Sequence, residues 1–159
     1  MKTLDFTIIV DTREQQPWVF DNYTTAKRKL DTGDYSIEGL EHLLGIERKK
    51  SVSEFANNIV ESRFEDVVER LSKLKYSFIL FEFDLQDVLI YPVGSTVPKK
   101  WWNNIKITPA FIMKHIIELQ LLHNIKVVFC GSSSNAEKMA EHLLKKVHYF
   151  ERVKQQKDI

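Results

Sequence analysis

Two hydrophobic periods divide the chain near Ser51. Before it, apolar residues come in short runs: Phe6–Val10 (FTIIV) ends at Asp11, and Tyr35–Ile37 and Leu43–Lys49 flank a Glu38-Gly39 turn. Runs of this length bounded by turn residues predict strands, the last two as a hairpin. Thr24–Leu30 is also β-compatible, with Lys27 and Lys29 on one face, whereas the Pro17-containing stretch Thr12–Asp21 reads as loop. After Ser51 the spacing turns helical. Val52, Phe55, Ile59 and Val60 predict one helix, capped by Ser51 or Ser53 with Glu54 in its first turn. Phe64–Leu74 predicts a second, with Val67, Val68, Leu71 and Leu74 inward. Ser77–Phe83 and Lys126–Cys130 read as strands, and Leu85–Lys100 as irregular. A helix starts at Thr108-Pro109, with proline in its first turn. The last helix runs through Met139, Leu143 and Val147 from a cap at Ser134 or Asn135. Strands clustered early, then alternating with helices, predict a mixed α/β sandwich.

Composition adds limits. The chain has 159 residues, 43% of them hydrophobic, enough for one core: a domain over residues 1–150 and a frayed polar tail over 151–159. Lys+Arg 23 against Asp+Glu 22 leaves a net charge of +1, so no global basic charge announces nucleic acid. A single cysteine, Cys130, excludes an internal disulfide and a cysteine zinc cluster. The first residues, MKTLDFTIIVD, are too short and too acidic a run for a signal peptide, and no window approaches a membrane span. An intracellular, cytoplasmic, soluble protein is the expectation.

The chemistry concentrates between Gly33 and Lys50. Asp34 is followed, after an apolar stretch, by Glu47-Arg48-Lys49. On a strand, residues two apart share a face, so Glu47 and Lys49 point one way and Arg48 the other. A neighbouring strand opened by Asp34 brings a second carboxylate to Glu47. Two carboxylates and an amine suit phosphodiester hydrolysis, because Mg²⁺ takes one or two carboxylates plus water and phosphate oxygens. Asp34, Glu47 and the carbonyl of Arg48 are the candidate ligands, with Asp11 as a further ligand or one for a second ion. Lys49 orients or deprotonates the attacking water, or stabilises charge on the phosphate. Arg13 suits bidentate phosphate contact, and Glu14 holds Arg13 or binds metal. Singly, an Asp after Gly is usually a turn residue and Glu-Arg-Lys a solvated run; the joint spacing, with Asp11 and Glu14 upstream, favours a site.

The segments VDTRE (Val10–Glu14), LDTGDY (Leu30–Tyr35) and IERKK (Ile46–Lys50) resemble the signature of the XPF-type (excision-repair cross-complementing) structure-specific endonucleases, and the similarity extends from about Thr7 to Val147. The resemblance implies a restriction-endonuclease-like, PD-(D/E)xK fold, a mixed sheet flanked by helices. It implies Mg²⁺ dependence with Mn²⁺ as substitute, and cleavage of flaps, forks or junctions in DNA repair and recombination. Asp11, Arg13, Glu14, Asp34, Glu47, Arg48 and Lys49 match that signature as catalytic positions. The chain departs from it at Ser53, where the pattern has a final Asp, with Glu54 next. It also ends at Ile159 without the tandem helix-hairpin-helix module that commonly follows, a form that resembles stand-alone phage or prophage nucleases.

DNA contact is expected from Lys27, Lys29 and Lys50 beside the motif. A second expected patch, Lys99, Lys100, Trp101 and Trp102, pairs cations with rings able to stack on an unpaired base, or with rings tucked against the sheet. Trp18 and Phe20 read as core or lid packing. The five histidines show no ligand spacing with carboxylates. The last two helices are apolar on more than one side, and the resembled family dimerises at this end, so a homodimer is expected. Two other readings remain open: a four-way (Holliday) junction resolvase of the same fold, and a catalytically inactive nuclease-like subunit that binds DNA or a partner.

Overall fold

The computed structural model describes residues 5–157. Residues 1–4 of the expected domain and 158–159 of the expected tail lie outside the described residues. Six strands, β1 (Thr7–Val10), β2 (Thr24–Lys27), β3 (Tyr35–Ile37), β4 (Leu44–Lys49), β5 (Tyr76–Phe81) and β6 (Lys126–Phe129), form one mixed sheet in the order β2-β1-β3-β4-β5-β6. β3 runs antiparallel to both β1 and β4, while β1–β2, β4–β5 and β5–β6 are parallel. The principal helices are α1 (Val52–Asn58), α2 (Ser62–Ser72), α3 (Leu85–Leu89), α4 (Pro109–Leu121) and α5 (Ser133–His148), with a 3₁₀ helix over Lys99–Asn104 and a last helical turn over Lys154–Lys157.

The sheet has a core on each face. On one, Ile79 and Phe81 of β5 pack with Phe55 of α1, Phe64, Val68 and Leu71 of α2, and Ile112, Ile116 and Leu119 of α4. On the other, Ile8, Tyr35, Leu44 and Ile46 pack with Trp18 and Phe20 of the 11–23 loop and with Ala136, Ala140, Leu144 and Val147 of α5. Helices over both faces leave β4 buried at all six positions, as for a strand in a sheet covered on both sides. Gly45 gives the side chains of Leu71 and Leu74 a close approach to β4: a Cβ there would stand 2.8 Å from Leu74 Cδ1.

Several boundaries differ from the sequence reading. Ser132 caps α5 by accepting the Asn135 amide at 3.1 Å, two or three residues before the expected cap. The inward face is therefore Ala136, Ala140, Leu144 and Val147, and Met139 is exposed. The segment read as irregular contains α3, held by a capping box between Asp84 and Asp87. The described part of the tail, residues 151–157, is helical and anchored at Glu151 rather than frayed. The helix continues as a π turn over Tyr149–Val153, where Glu151 accepts from Lys75 Nζ at 2.6 Å and from Tyr76 OH at 2.7 Å. Among the described residues no helix is long and apolar enough to cross a membrane.

Candidate active site

With β3 antiparallel to its neighbours, the C-terminal ends of β1, β4 and β5 and the start of β3 lie at one edge of the sheet. Asp11, Asp34, Glu47–Lys49 and Glu82 all sit there. Gly33 makes the approach possible. Its φ of +82° and its 3.1 Å clearance from a would-be Cβ to the Ile46 amide suit only glycine. The Asp34 amide then donates to Ile46 O at 2.8 Å, and the Asp11 amide to Asp34 O at 2.9 Å.

A cleft of about 370 Å³ opens on the α1/α2 side, lined by Asp11, Arg13, Glu14, Asp34, Glu47 and Lys49, with Glu54, Asn58, Arg63, Phe64 and Arg70 across from them. The alternation expected of β4 is seen. Glu47 and Lys49 face this cleft, with Lys49 Nζ 3.5 Å from Glu47 Oε1. Asp34 meets them from β3 and accepts the Arg48 amide on Oδ2 at 2.8 Å. Burial first, then the charge of Glu47, pushes the Asp34 carboxyl well above its usual range, and the Arg48 amide offsets this only in part. Burial also raises Glu47, against the pull of Lys49. The pair is thus a buried concentration of negative charge served by one amine. A larger cavity of about 710 Å³ lies elsewhere, between the sheet edge and the C-terminal helix; it has no such acid–amine set.

Asp11 is engaged on both oxygens, by the Leu30 amide at 2.8 Å and Arg13 Nε at 2.7 Å. Burial alone would raise its pKa, but the Arg13 guanidinium and the Leu30 amide outweigh it and hold the carboxyl below its usual value. Arg13 is otherwise exposed and lines the cleft.

Arg48 points away from the cleft, as the alternation of β4 requires, and among the described residues Glu14 is its partner rather than that of Arg13. The Arg48 guanidinium lies on the opposite face of β4, buried rather than available to phosphate. It donates to Glu82 Oε2 at 2.8 Å, to Gln16 O at 2.7 Å and to Glu14 Oε2 at 3.2 Å, and lies 4.8 Å over the Trp18 ring. Tyr35 OH also donates to Glu14 Oε2, so Glu14 holds Arg48 and Tyr35 instead of Arg13. Trp18, stacked on Tyr35 at 4.5 Å, donates to Glu82 at 2.7 Å and is core, as expected.

The departure at Ser53 resolves structurally. Ser53 faces a separate cavity beside Phe83, Tyr91 and Val93. Glu54 lines the acid cleft instead, with Oε1 4.0 Å from Lys49 Nζ and Oε2 accepting the Lys50 amide. The expected DNA contacts lie outside the cleft: Lys27, Lys29, Lys50, Lys99 and Lys100 are exposed. Of the paired tryptophans, Trp101 is exposed with Lys100 Nζ 5.4 Å from its ring centroid, while Trp102 is half-buried and donates to Val97 O. Sequence reasoning missed Arg63 and Arg70, which reach the cleft from α2. Their seven-residue spacing, two helical turns, was the available signal.

Among the described residues no three histidine, cysteine or carboxylate side chains converge to hold an ion by themselves. Two carboxylates still fit a divalent ion that keeps water and substrate oxygens as its other ligands, and a dication would compensate the charges that burial, before any neighbouring acid, penalises in both.

A family model described as "ERCC4 domain" matches residues 10–143. Among solved structures, XPF from Aeropyrum pernix is similar at 20% identity and a TM-score of 0.66, over 96% of this chain and 69% of that one. XPF from Aeropyrum pernix in complex with DNA is similar at 20% identity and a TM-score of 0.65, over 89% of this chain and 64% of that one. At this identity the likeness establishes the fold, the restriction-endonuclease-like sheet flanked by helices. No curated protein matches significantly.

Proposed function

The chain belongs to the ERCC4 domain family, and from that premise we propose that it is a metal-dependent endonuclease acting on branched DNA: flaps, forks or junctions. The observation that carries the reading is the meeting of Asp34, Glu47 and Lys49 in one cleft at the sheet edge. The DNA complex formed by a similar XPF supports DNA as the substrate. Asp34, Glu47 and the Arg48 carbonyl would hold Mg²⁺ or Mn²⁺. Asp11, held by Arg13 and the Leu30 amide on one lone pair of each oxygen, would add a third carboxylate through a remaining lone pair. A bound ion supplies Lewis-acid charge beside the scissile phosphate and acidifies water. Lys49 orients that water and stabilises charge developing on the phosphate oxygens. Arg13, exposed at the cleft wall, grips phosphate. Glu14 and Arg48 support the floor, and Glu54 steers Lys49. The outward residues Ile117, Leu121 and Leu122 on and just after α4 form the seam of the proposed homodimer.

The deciding experiment incubates purified protein with labelled forks, flaps and four-way junctions, with Mg²⁺, Mn²⁺ or chelator. Nicking of branched substrates with either ion and none with chelator supports the reading. A mobility shift without product under every condition makes the chain a binding module, and symmetric paired nicks on junctions make it a resolvase.

Two further outcomes follow from the cleft. Glu54→Gln keeps the acceptor for the Lys50 amide but loses the charge beside Lys49. It is expected to lower the cleavage rate by roughly 10- to 100-fold, the effect of an outer partner of a metal site, whereas Ser53→Ala leaves the rate unchanged. The double variant Arg63→Ala/Arg70→Ala removes two exposed cations from the cleft wall. Its log–log salt slope for fork binding should shrink by about 2, one phosphate contact per arginine. Both are read by titrating binding and initial rate on one labelled fork.

A further inference from the structure

We infer that Phe64 positions Lys49 for reaction through the face of its aromatic ring, an inference that rests on the reading of Lys49 above as the reactive amine. Phe64 lies in the first turn of α2, and its ring centroid is 5.3 Å from Lys49 Nζ. The ammonium has two carboxylates beside it, Glu47 at 3.5 Å and Glu54 at 4.0 Å. Both distances exceed the roughly 2.7–2.9 Å of a tight charge-assisted hydrogen bond. Neither acid therefore locks the amine, and the third wall of its seat is the ring.

The placement of the ring is not that of simple core filling. Phe64 lines the acid cleft on one side and, on the other, a separate cavity of about 440 Å³ with Val68, His115 and Leu119 between α2 and α4. It is a partition between two open spaces, yet only 8% exposed. Phe55 meets it edge-on at 5.9 Å and 90°, which fixes the plane that faces Lys49. The electron-rich face of a ring attracts a cation most where water is excluded, and the Lys49 side chain is itself only 8% exposed. A lysine stem carries several free rotors. The ring narrows them, holding the ammonium over the cleft instead of collapsed onto Glu47.

The test separates the electrostatics of the ring from its volume. Phe64 is replaced in the full chain by 4-fluoro-, 3,5-difluoro- and 3,4,5-trifluorophenylalanine, which keep the shape and withdraw charge from the face in steps. The expected result is a kcat on a labelled fork that falls with each step, to about one tenth at the end of the series, with KM and melting temperature unchanged. Independently of cleavage, the Lys49 methylene protons next to Nζ should show an upfield ring-current shift by NMR that disappears in Phe64→Leu. A flat kcat series, or no ring-current shift in the native chain, overturns the inference. These failures are distinct from failure of the underlying reading, which would show as undiminished cleavage by Lys49→Met with native Phe64.

Discussion

Asp34→Asn and Lys49→Met are each expected to cut the cleavage rate by roughly a thousandfold while moving stability in opposite directions. The rates fall together because one variant removes a ligand and the other the amine that serves the phosphate. Stability separates them. The Asp34 carboxyl is raised by burial and then by the charge of Glu47. A carboxyl with a folded pKa above its ordinary 3.8 binds protons more readily in the folded chain, so its charge costs stability above the folded pKa. That cost fades as pH falls through the raised value and is gone below the ordinary one. Asparagine keeps an acceptor for the Arg48 amide and removes the charge. In chelator, Asp34→Asn should therefore melt at or above the parent at neutral pH, with the difference closing on acidification. Lys49→Met does the reverse, stranding the buried Glu47 without its cation. Thermal melts across pH, beside single-turnover cleavage, check both. Parental cleavage by either variant removes that residue from the mechanism, and a large loss of stability in Asp34→Asn would make Asp34 a structural group.

The sequence shows these residues because strand periodicity is local. The alternation that puts Glu47 and Lys49 on one face and Arg48 on the other needs only three neighbouring positions. The Gly33-Asp34 turn needs only the positive φ of its glycine. What was missed is set at long range or by competition. Glu82 and Trp18 meet Arg48 across large sequence separations, and no periodicity encodes such a meeting. The cap of α5 was misplaced because Ser132, Ser133, Ser134 and Asn135 all carry capping side chains, and only the extended backbone at Ser132 selects one. Five-residue α3 is too short to show a period. The choice of Glu54 over Ser53 depends on the rotation of α1 above β4, which the cap at Ser51 sets and which no spacing rule gives to one residue.

The second large effect is structural: Arg48→Met is expected to cost about 3–5 kcal/mol, the penalty for stranding buried partners of a charge. For a chain of this size that lowers the melting temperature by on the order of 10 °C. The guanidinium is 6% exposed, as is Glu82, and Glu14 is 14% exposed. It ties the 11–23 loop, β3, the end of β5 and, through Ser133 Oγ at 3.3 Å, the start of α5 to the strand that carries Glu47 and Lys49. Arg48→Lys should not restore stability, since a point charge cannot serve Glu82, Glu14 and Gln16 O from one planar fork. Glu82→Gln placed on Arg48→Met should recover part of the loss, because it removes a buried charge left alone. Urea unfolding of the four members of this cycle measures the coupling. At a temperature where Arg48→Met is folded, its salt slope for DNA binding should equal that of the parent, because the guanidinium never reaches phosphate. A stability within 1 kcal/mol of the parent together with a reduced salt slope would overturn the assignment and make Arg48 a phosphate contact.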